Sequence, residues 1–402
     1  MNEIRVPFFQ VSLSDHEIDQ VAATLRSGWL TTGARAHQFE ESFANAVGAT
    51  HAVAVNSCTA ALHLALEALN VKPNQVVLVP AMTFSATAEV VLHLGAFPLL
   101  VDCEPESSHI SIDDALLKID QLRSGKLSAP VSPSAPVVGI VPVHVAGSMV
   151  DMTALTGFAS TQNLWIVEDA AHAFPSAWRA DSNAEWQRCG QGTANVSCFS
   201  FYANKTVTTG EGGMAVTESA ELADRMRLMS LHGLRNKPNS ESWNYEIAAA
   251  GYKYNLTDIA AALGIGQLEQ SEELRRKREE IAMRYIDGLS GHDAIELPIT
   301  DPNRIHAWHL FQIRLRLERI NITHNQFIDE LKKHGILCSV HWKPLHLHPF
   351  YKESFGWSAD QFPNATNVWE RLVSLPLFPS MTDCQVEYVI RNITELCKSH
   401  AH

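Results

Sequence analysis

The sequence lacks the features that mark membrane, secreted and nucleic-acid-binding proteins. No apolar run reaches the roughly 18 residues of a membrane-spanning helix, and the N-terminal stretch MNEIRVPFFQVSLSDHE has an early acid and no continuous apolar segment of the secretory kind. The seven cysteines contain no CxxC pair, so neither a disulfide framework nor a zinc site has its usual spacing. Basic residues are outnumbered, with 31 Lys and Arg against 44 Asp and Glu, which disfavours a surface for phosphate backbones. We therefore expect a cytoplasmic protein that binds no membrane, no nucleic acid and no metal.

The chain does have the composition and pattern of a large globular enzyme. Hydrophobic residues make up 46% and charged residues 19% of its 402 positions, which is typical of a protein with a sizeable core. Through residues 40–217, short apolar runs alternate with helical patterns. Apolar strands separated by helices indicate an α/β fold with a mostly parallel sheet covered on both faces. The predicted strands are HAVAVN, QVVLVP, AFPLLVD, PVVGIVPVH, LWIVEDA, VSCFSFY and GGMAVT.

The C-terminal third has a different pattern. QLEQSEELRRKREEIAMRYIDGL is predicted as one long, charged amphipathic helix. HAWHLFQIRLRLE alternates like a strand, so His306 and His309 are expected on a strand surface, and FIDELKKHGI and VEYVIRNITELCKS are helical. We predict a large domain over residues 1–280 and a smaller α+β domain over residues 281–402.

Polar residues follow two of the predicted strands. After HAVAVN, the first turn of a helix at Thr59 and Ala60 offers backbone N–H groups to a phosphate, although Ser and Thr at helix starts are often only caps. LWIVED brings Asp169 to the C-terminal end of a strand, where ligands of open α/β sheets bind. A buried carboxylate there needs a cationic partner such as a protonated pyridine nitrogen, unless it only caps the next helix.

The stretch CFSFYANKTVTTGEGGM, residues 198–214, sets one lysine between an apolar strand and a cluster of glycines. A lysine at the end of a core strand is costly unless it is paired or covalently used, and an aldehyde cofactor needs such a desolvated amine. Lys205 is therefore the candidate catalytic residue, with a solvated loop cation as the alternative, and Ser200 could contact the same phosphate. Phe84 could stack on a cofactor ring or belong to the core, and His172 could approach a ring oxygen or be a core histidine.

With these residues the sequence resembles the pyridoxal-phosphate-dependent sugar aminotransferases of the DegT/StrS type, in the fold type I aminotransferase group. The shared stretches run from SGWLTTG through NSCTAAL, EDAAHA, SFYANKTVTTGEGG and GYKYNLTDIAAALG to HAWHLF and SLPLFPSMT. They follow one order and cover almost the whole chain. The resemblance implies a large domain that binds pyridoxal 5'-phosphate (PLP) and a smaller C-terminal domain.

Carried over position by position, the resemblance implies a role for each candidate residue. Lys205 would bind PLP covalently, Asp169 would pair with the pyridine nitrogen, and His172 would lie near the ring oxygen. Phe84 occupies the position of a ring-stacking aromatic residue. Asn255, in GYKYNLTD, matches an asparagine that reaches the phosphate from the neighbouring subunit, so the resemblance implies a homodimer with a shared active site. The phosphate-contacting positions match Thr59, Ala60 and Ser200.

The resemblance also implies substrates. The amino donor would be L-glutamate and the acceptor a keto nucleotide-sugar, for lipopolysaccharide, capsule or glycan synthesis. GWLTTG, HGL, GYKYNLTDI and HAWHLF are most similar to members that make UDP-4-amino-4-deoxy-L-arabinose, which favours a UDP-linked 4-keto sugar. Amination at C3, a UDP-N-acetyl-6-deoxyhexose, and a GDP-linked 4-keto-6-deoxyhexose, as in perosamine synthesis, stay open. The candidate substrate contacts are Thr32, His232 and Arg235.

Other interpretations fit the residues less well. Sugar 3-dehydratases of the same fold have histidine where this chain has Lys205. A non-catalytic PLP-binding regulator would need neither Lys205 nor Asp169, and a nicotinamide dehydrogenase would have GxGxxG after its first strand. His341, His346 and His348 lack an acid or thiol at ligand spacing, so we expect them in loops or at sugar contacts rather than at a metal.

Overall fold

The computed structural model describes residues 4–236 and 244–402, and no helix within them is both long enough and apolar enough to span a bilayer. The α-helices are α1 (Asp15–Ser27), α2 (Ala34–Val47), α3 (Cys58–Ala68), α4 (Ala86–His93), α5 (Ile112–Arg123), α6 (Met152–Gln162), α7 (Ala220–Ser230), α8 (Asp258–Glu269), α9 (Ser271–Leu289), α10 (His324–Lys333), α11 (Pro349–Phe355), α12 (Pro363–Arg371) and α13 (Asp383–Ser399). The strands are β1 (His51–Val55), β2 (Val76–Pro80), β3 (Phe97–Val101), β4 (Val137–Ile140), β5 (Trp165–Asp169), β6 (Ala177–Trp178), β7 (Gln187–Arg188), β8 (Val196–Ser200), β9 (Gly213–Thr217), β10 (Leu234–Asn236), β11 (Tyr245–Ile247), β12 (Ile295–Glu296), β13 (Arg304–Ile305), β14 (Phe311–Leu315) and β15 (Leu372–Leu375).

A seven-stranded mixed sheet forms the centre of the molecule, in the order β1-β9-β8-β5-β4-β2-β3. The pairs from β8 to β3 are parallel, whereas β9 runs antiparallel to both β1 and β8. Every residue of β2, β3 and β9 is buried, as expected for strands covered on both faces. Each such buried Val or Leu side chain contributes about 1.5–3 kcal/mol. The predicted α/β fold is confirmed, and each of the seven predicted runs contains a strand of this sheet.

A second hydrophobic core lies around the three-stranded sheet β12-β14-β15. Its buried residues come from α9, α10 and α13 as well as from the strands. Val6, near the N-terminus, also belongs to this core, because its backbone bonds to Gly335 and Leu337. The predicted boundary after residue 280 falls within α9, and the division into two domains stays a prediction.

Two predictions about the C-terminal third are wrong in detail. The single long helix is two helices, α8 and α9, that meet at Gln270, whose backbone is not helical (ψ 1°). The strand predicted over HAWHLFQIRLRLE begins only at Phe311. Trp308 has a φ of +49°, and the Ala307 and Leu310 N–H groups donate to carbonyls in the turn after β4. The segment around His309 therefore packs as a loop against the large sheet and is not a surface strand.

Candidate active site

A cavity of about 490 Å³ opens at the C-terminal ends of the parallel strands β5 and β8 and at the N-terminus of α3. This edge of the sheet is where backbone groups and side chains converge on ligands in open α/β folds. Six of the residues predicted from the sequence line the cavity, namely Thr59, Phe84, Asp169, His172, Ser200 and Lys205. The fold thus brings together positions that are up to 146 residues apart in the chain, from Thr59 to Lys205 (205 − 59 = 146).

Lys205 lies in the turn that follows β8, where its backbone N–H donates to the Tyr202 carbonyl over 2.9 Å. Its Nζ is 3.3 Å from Nε2 of His309. Burial lowers the pKa of Lys205 to about 8, against the attraction of the nearby Asp169 carboxylate. A lysine in this state has an unprotonated, nucleophilic amine in a useful fraction of molecules at neutral pH, which is what bond formation to an aldehyde requires.

Asp169 ends strand β5, and its carboxylate is almost fully buried. The hydroxyl of Thr87 donates to Oδ2 over 2.7 Å, and the Ala171 N–H donates to Oδ1 over 3.2 Å. Burial raises the pKa of Asp169, while these two hydrogen bonds and Lys205 oppose that effect. The result is an oriented acceptor that faces the cavity and can hold a protonated ring nitrogen.

The N-terminus of α3 forms one wall of the cavity through Ser57, Cys58 and Thr59. Ser57 caps the helix, since its hydroxyl accepts a hydrogen bond from the Ala60 N–H over 3.1 Å. Ala60 itself is buried outside the cavity lining. Strand β9 approaches this turn so closely that a Cβ on Gly213 would lie 2.4 Å from the Ser57 carbonyl carbon. Only glycine at position 213 leaves room for the first turn of α3. The helix dipole at this N-terminus favours an anion.

Three histidines lie near the amine of Lys205: His172 and His309 are buried, and His341 is half-buried. The His172 ring packs 4.3 Å from the His309 ring and stacks at 4.9 Å on Trp342, beside His341. Burial lowers the pKa of each of these three histidines, that of His341 to about 4. The prediction that His309 lies on a strand surface is wrong, because its loop turns the ring inward toward Lys205. Nδ1 of His172, which lines the cavity, has no hydrogen-bond partner within residues 4–236 and 244–402.

The remaining predicted residues lie outside the cavity lining. Asn255 Nδ2 donates to the Thr32 hydroxyl over 2.6 Å, so these two side chains join the GYKYNLTD and SGWLTTG segments. His232 and Arg235 are exposed near strand β10. Their predicted contacts with a neighbouring subunit or a substrate stay predictions.

His341 lines the cavity, in agreement with the expectation of a loop position for this group of histidines. His346 is buried against Thr366, with its Nε2 2.9 Å from the hydroxyl, and stacks on Phe362. His348 bonds the Lys343 carbonyl. These three histidines therefore do not share one site.

Within the described residues, one group has the composition of a metal site: the buried side chains of His144, Glu168 and Cys189. The Val150 N–H donates to Nδ1 of His144, which leaves the ring proton on Nε2. Nε2 lies 3.9 Å from a Glu168 oxygen that also accepts a hydrogen bond from Ser197. A proton on the inward-facing nitrogen is incompatible with metal ligation through it, so this group is better described as a buried polar pair with an adjacent thiol.

Sequence reasoning missed Thr87 and His309 as parts of the site, and it missed Arg278, whose guanidinium bonds the His309 carbonyl from α9. Arg278 had a detectable signal, because it lies four residues after Leu274 and three before Ile281, on the buried face of α9. A cation at such a position is unusual. Thr87 had no such signal, since a threonine in the first turn of a helix is common for local reasons.

The fold and this cavity define a PLP-dependent transferase of fold type I, and comparison with known proteins identifies the family. Residues 11–394 match the DegT/DnrJ/EryC1/StrS aminotransferase family. The chain is 40% identical over 399 residues to SpsC of Bacillus subtilis strain 168, a spore coat polysaccharide biosynthesis protein. The match covers 98% of this chain and 97% of SpsC.

Solved structures agree with this assignment. The PLP form of Spr1654 from Streptococcus pneumoniae superposes with a TM-score of 0.87 at 31% identity, over 98% of this chain and 99% of Spr1654. PseC of Helicobacter pylori, an aminotransferase involved in the biosynthesis of pseudoaminic acid, superposes with a TM-score of 0.86 at 26% identity, over 98% of this chain and 100% of PseC. The chain belongs to the DegT/DnrJ/EryC1/StrS aminotransferase family, and its cofactor is PLP.

The residues of the cavity fit this cofactor. The amine of Lys205 is available for an aldehyde, the buried Asp169 carboxylate for a ring nitrogen, and the start of α3 for a phosphate. The unpartnered Nδ1 of His172 offers a polar contact for a ring oxygen. Each polar group of PLP thus has a counterpart of suitable chemistry among the groups that line the cavity.

Proposed function

We propose that this aminotransferase moves the amino group of L-glutamate to a keto nucleotide-sugar, most specifically a UDP-linked 4-keto sugar, for cell-surface polysaccharide or glycan synthesis. The observation that carries the proposal is the convergence of Lys205, Asp169 and the α3 N-terminus on one cavity in a member of this family. The names of SpsC and PseC support a product used in polysaccharide or sugar biosynthesis. The similarity of GWLTTG and HAWHLF to enzymes that make UDP-4-amino-4-deoxy-L-arabinose supports the UDP-linked 4-keto acceptor.

The residues of this chain have separate tasks in the reaction. PLP, when bound, serves as an electron sink and carries the amino group between the two carbonyl compounds. Lys205 Nζ, unprotonated in part at neutral pH, takes a proton from the donor carbon and returns it to the acceptor carbon. Asp169, oriented by Thr87, holds a proton on the ring nitrogen. Burial of Asp169 and His172 keeps water away from these transfers.

The proposal includes a cytoplasmic homodimer in which Asn255 reaches the phosphate of the neighbouring subunit. In the single chain the Asn255 side chain bonds Thr32 and stays outside the cavity, which supports a role across an interface. Seven free cysteines, five of them buried, support a reducing compartment. Thr32, His232 and Arg235 remain candidate contacts for the nucleotide-sugar.

A GDP-linked 4-keto-6-deoxyhexose is the alternative acceptor, and a PLP-binding regulator without turnover is the alternative function. The enclosed amine of Lys205 and its partly lowered pKa favour an enzyme, because a protein that only binds PLP does not need a nucleophile tuned for repeated proton transfer.

The test is a visible absorption spectrum of the PLP-loaded protein before and after L-glutamate, followed by a panel of UDP- and GDP-linked 4-keto and 3-keto sugars. We expect glutamate to abolish the visible cofactor band and one keto sugar to restore it. The sugar that restores the band identifies the acceptor. A band that glutamate leaves unchanged would contradict the aminotransferase function and favour the regulator.

The control is Lys205→Arg, which keeps the positive charge but removes the nucleophilic amine. This variant is expected to retain its fold and to lose turnover. Normal turnover by Lys205→Arg would show that another residue performs the proton transfers.

A further inference from the structure

Arg278 is a buried cation whose setting differs from that of the other arginines of α9. Arg275 and Arg276 are paired with glutamates on the same helix, at N–O distances such as 3.0 Å to Glu279 and 2.8 Å to Glu273. Arg278 is only 3% exposed, and within the described part of the chain it has no carboxylate within 4.0 Å. Burial of an unpaired charge costs several kcal/mol, so such a residue needs an explanation.

The hydrogen bonds of Arg278 within the described residues all go to backbone carbonyls. Its Nη1 donates to the carbonyls of Trp308 and His309 over 3.4 Å each and to that of Leu377 over 3.0 Å. Its Nε has no partner within residues 4–236 and 244–402. The guanidinium therefore ties the loop before β14 to the segment after β15, while its charge stays uncompensated.

The loop that Arg278 holds carries His309, whose Nε2 lies 3.3 Å from Lys205 Nζ. The backbone of His309 is thus fixed on one side by a cation, and its ring contacts the amine on the other. Nδ1 of His309 has no partner among the described residues, so the contact with Lys205 is the ring's one identified hydrogen bond. Displacement of the loop would separate this pair.

The charged and titratable groups around Lys205 act in opposite directions. Asp169 favours the ammonium form, as would a Cys58 thiolate, but burial raises the pKa of Cys58 well above its usual value and keeps that thiol neutral. His172, His309 and His341 are neutral because burial lowers their pKa values. The positive charge of Arg278 disfavours a second cation and is the one charged group that opposes Asp169 among these neighbours.

We propose that Arg278 is a positioning residue that holds His309 against Lys205 and whose uncompensated charge, in addition to burial, disfavours protonation of the Lys205 amine. This proposal rests on the proposed function in one respect, because it assumes that the amine of Lys205 has to react near neutral pH. It makes α9, which contributes residues to the second core, a determinant of the reactivity of a lysine in the turn after β8. A salt bridge to Arg278 would cancel the effect, which accounts for the absence of a carboxylate among its described neighbours.

The test measures the protonation of Lys205 directly, by competitive labelling of the full-length, cofactor-free chain with acetic anhydride between pH 6 and pH 11 and peptide mass spectrometry. The exposed Lys72 serves as the internal standard. Arg278→Gln keeps donors for the carbonyls but removes the charge, and Arg278→Lys keeps the charge. Arg275→Gln, one turn earlier on the same helix, is the matched control.

We expect Arg278→Gln to reduce the labelling of Lys205 at pH 7 by about tenfold, which corresponds to a rise of one pKa unit. In the Arg278→Lys and Arg275→Gln variants, the labelling of Lys205 should stay within about twofold of that in the unaltered protein, which corresponds to a shift of less than half a pKa unit. Unchanged labelling of a folded Arg278→Gln variant would overturn the proposal. If circular dichroism shows that Arg278→Gln does not fold, a several-fold reduction of Lys205 labelling in the Arg278→Lys variant overturns the proposal instead.

The outcome is independent of the substrate. Labelling uses neither PLP nor sugar, so a protein that failed the glutamate test could still show the effect of Arg278. Conversely, an aminotransferase with unchanged labelling in Arg278→Gln would keep its proposed function and lose this inference.

Discussion

At the residue scale, one physical effect acts on both functional groups of the cavity. Burial disfavours the charged form of each, and so it raises the pKa of Asp169 and lowers that of Lys205. Hydrogen bonds from Thr87 and Ala171 to the carboxylate oppose the rise in the pKa of Asp169. Among the described residues, the hydrogen-bond partner of the amine is a neutral histidine, His309. The site therefore retains an anion where a ring nitrogen needs one and releases a proton where a nucleophile is needed.

We predict that Asp169→Asn reduces kcat/KM by about 100- to 1,000-fold, the usual scale for loss of one preorganised electrostatic contact. The amide keeps the size of the side chain and can still accept from Thr87, but it cannot hold a proton on the ring nitrogen. Steady-state kinetics and the visible spectrum give the measurement. Cofactor binding should persist, because the start of α3 is untouched.

Asp181→Asn, in an exposed loop, is the control and should leave the kinetics unchanged. A fully active Asp169→Asn variant would show that the ring nitrogen needs no carboxylate in this enzyme.

Only part of the site could be predicted from individual residues. Lys205 and Asp169 were detectable, since a lone lysine and an acid at strand ends conflict with a buried context. His309 was not, because its alternation with apolar residues is also that of a strand, and a loop held by long-range backbone bonds has no local pattern. Arg278 was detectable only from its spacing to Leu274 and Ile281 on the buried face of α9, because the charged residues around it have the same composition.

At the element scale, the cavity depends on a close fit between β9 and the first turn of α3. Gly213 begins β9 and lies opposite Val55, the last residue of β1. The same glycine faces the backbone of Ser57 and Cys58, at distances that exclude a side chain. The hydrogen bonds of β9 to β1 and β8 fix this position. The glycine cluster after Lys205 thus has a packing function as well as a conformational one.

We predict that Gly213→Ala lowers the free energy of unfolding by about 1–3 kcal/mol, as overpacking usually does. It should also weaken PLP binding, because the new methyl group displaces the helix start that forms the phosphate-binding wall. Chemical denaturation and a PLP titration of the cofactor-free protein are the measurements. Equal stability and affinity in this variant would contradict the steric argument.

The control is Gly157→Ala in α6, where a Cβ would contact nothing within 4 Å. Alanine should stabilise that helix by up to about 1 kcal/mol and leave PLP affinity unchanged.

Most elements followed from apolar runs and helical spacing, and the errors have a common cause. The long helix was predicted across Gln270 because nothing in its side chain signals a break, and the C-terminal strand was started too early because Trp308 takes a left-handed backbone that tertiary bonds stabilise. Both departures depend on contacts between distant segments, which local periodicity does not contain.

At the scale of the whole molecule, the segments around Thr32 and Asn255 form a joint surface beside the cavity. Trp29 and Leu30 are 59% and 44% exposed there in the single chain, and exposed apolar side chains of this size often mark an interface. The Asn255 backbone pairs with Val55, near the start of α3, while its side chain points to Thr32. This geometry is compatible with a role in a neighbouring chain and leaves its own cavity without the amide.

Complementation between two inactive variants decides whether Asn255 acts across an interface. We predict that Lys205→Ala and Asn255→Asp are each nearly inactive alone, the second because a carboxylate repels the phosphate. After equal amounts are unfolded together and refolded, half of the dimers are mixed, and each mixed dimer combines an intact Lys205 from one chain with an intact Asn255 from the other. About a quarter of the sites should then be active, as follows from two-fold symmetry.

Recovered activity near one quarter, measured against refolded unaltered protein, would establish the shared site. If Asn255 served its own chain, every site would carry one defective residue, and mixing would restore nothing. The parallel mixture of Lys205→Ala with Asp169→Asn provides the control, because both residues line one cavity of one chain and no pairing of subunits unites their intact copies. The two mixtures differ only in the location of the second substitution, so their difference isolates the contribution of the neighbouring chain.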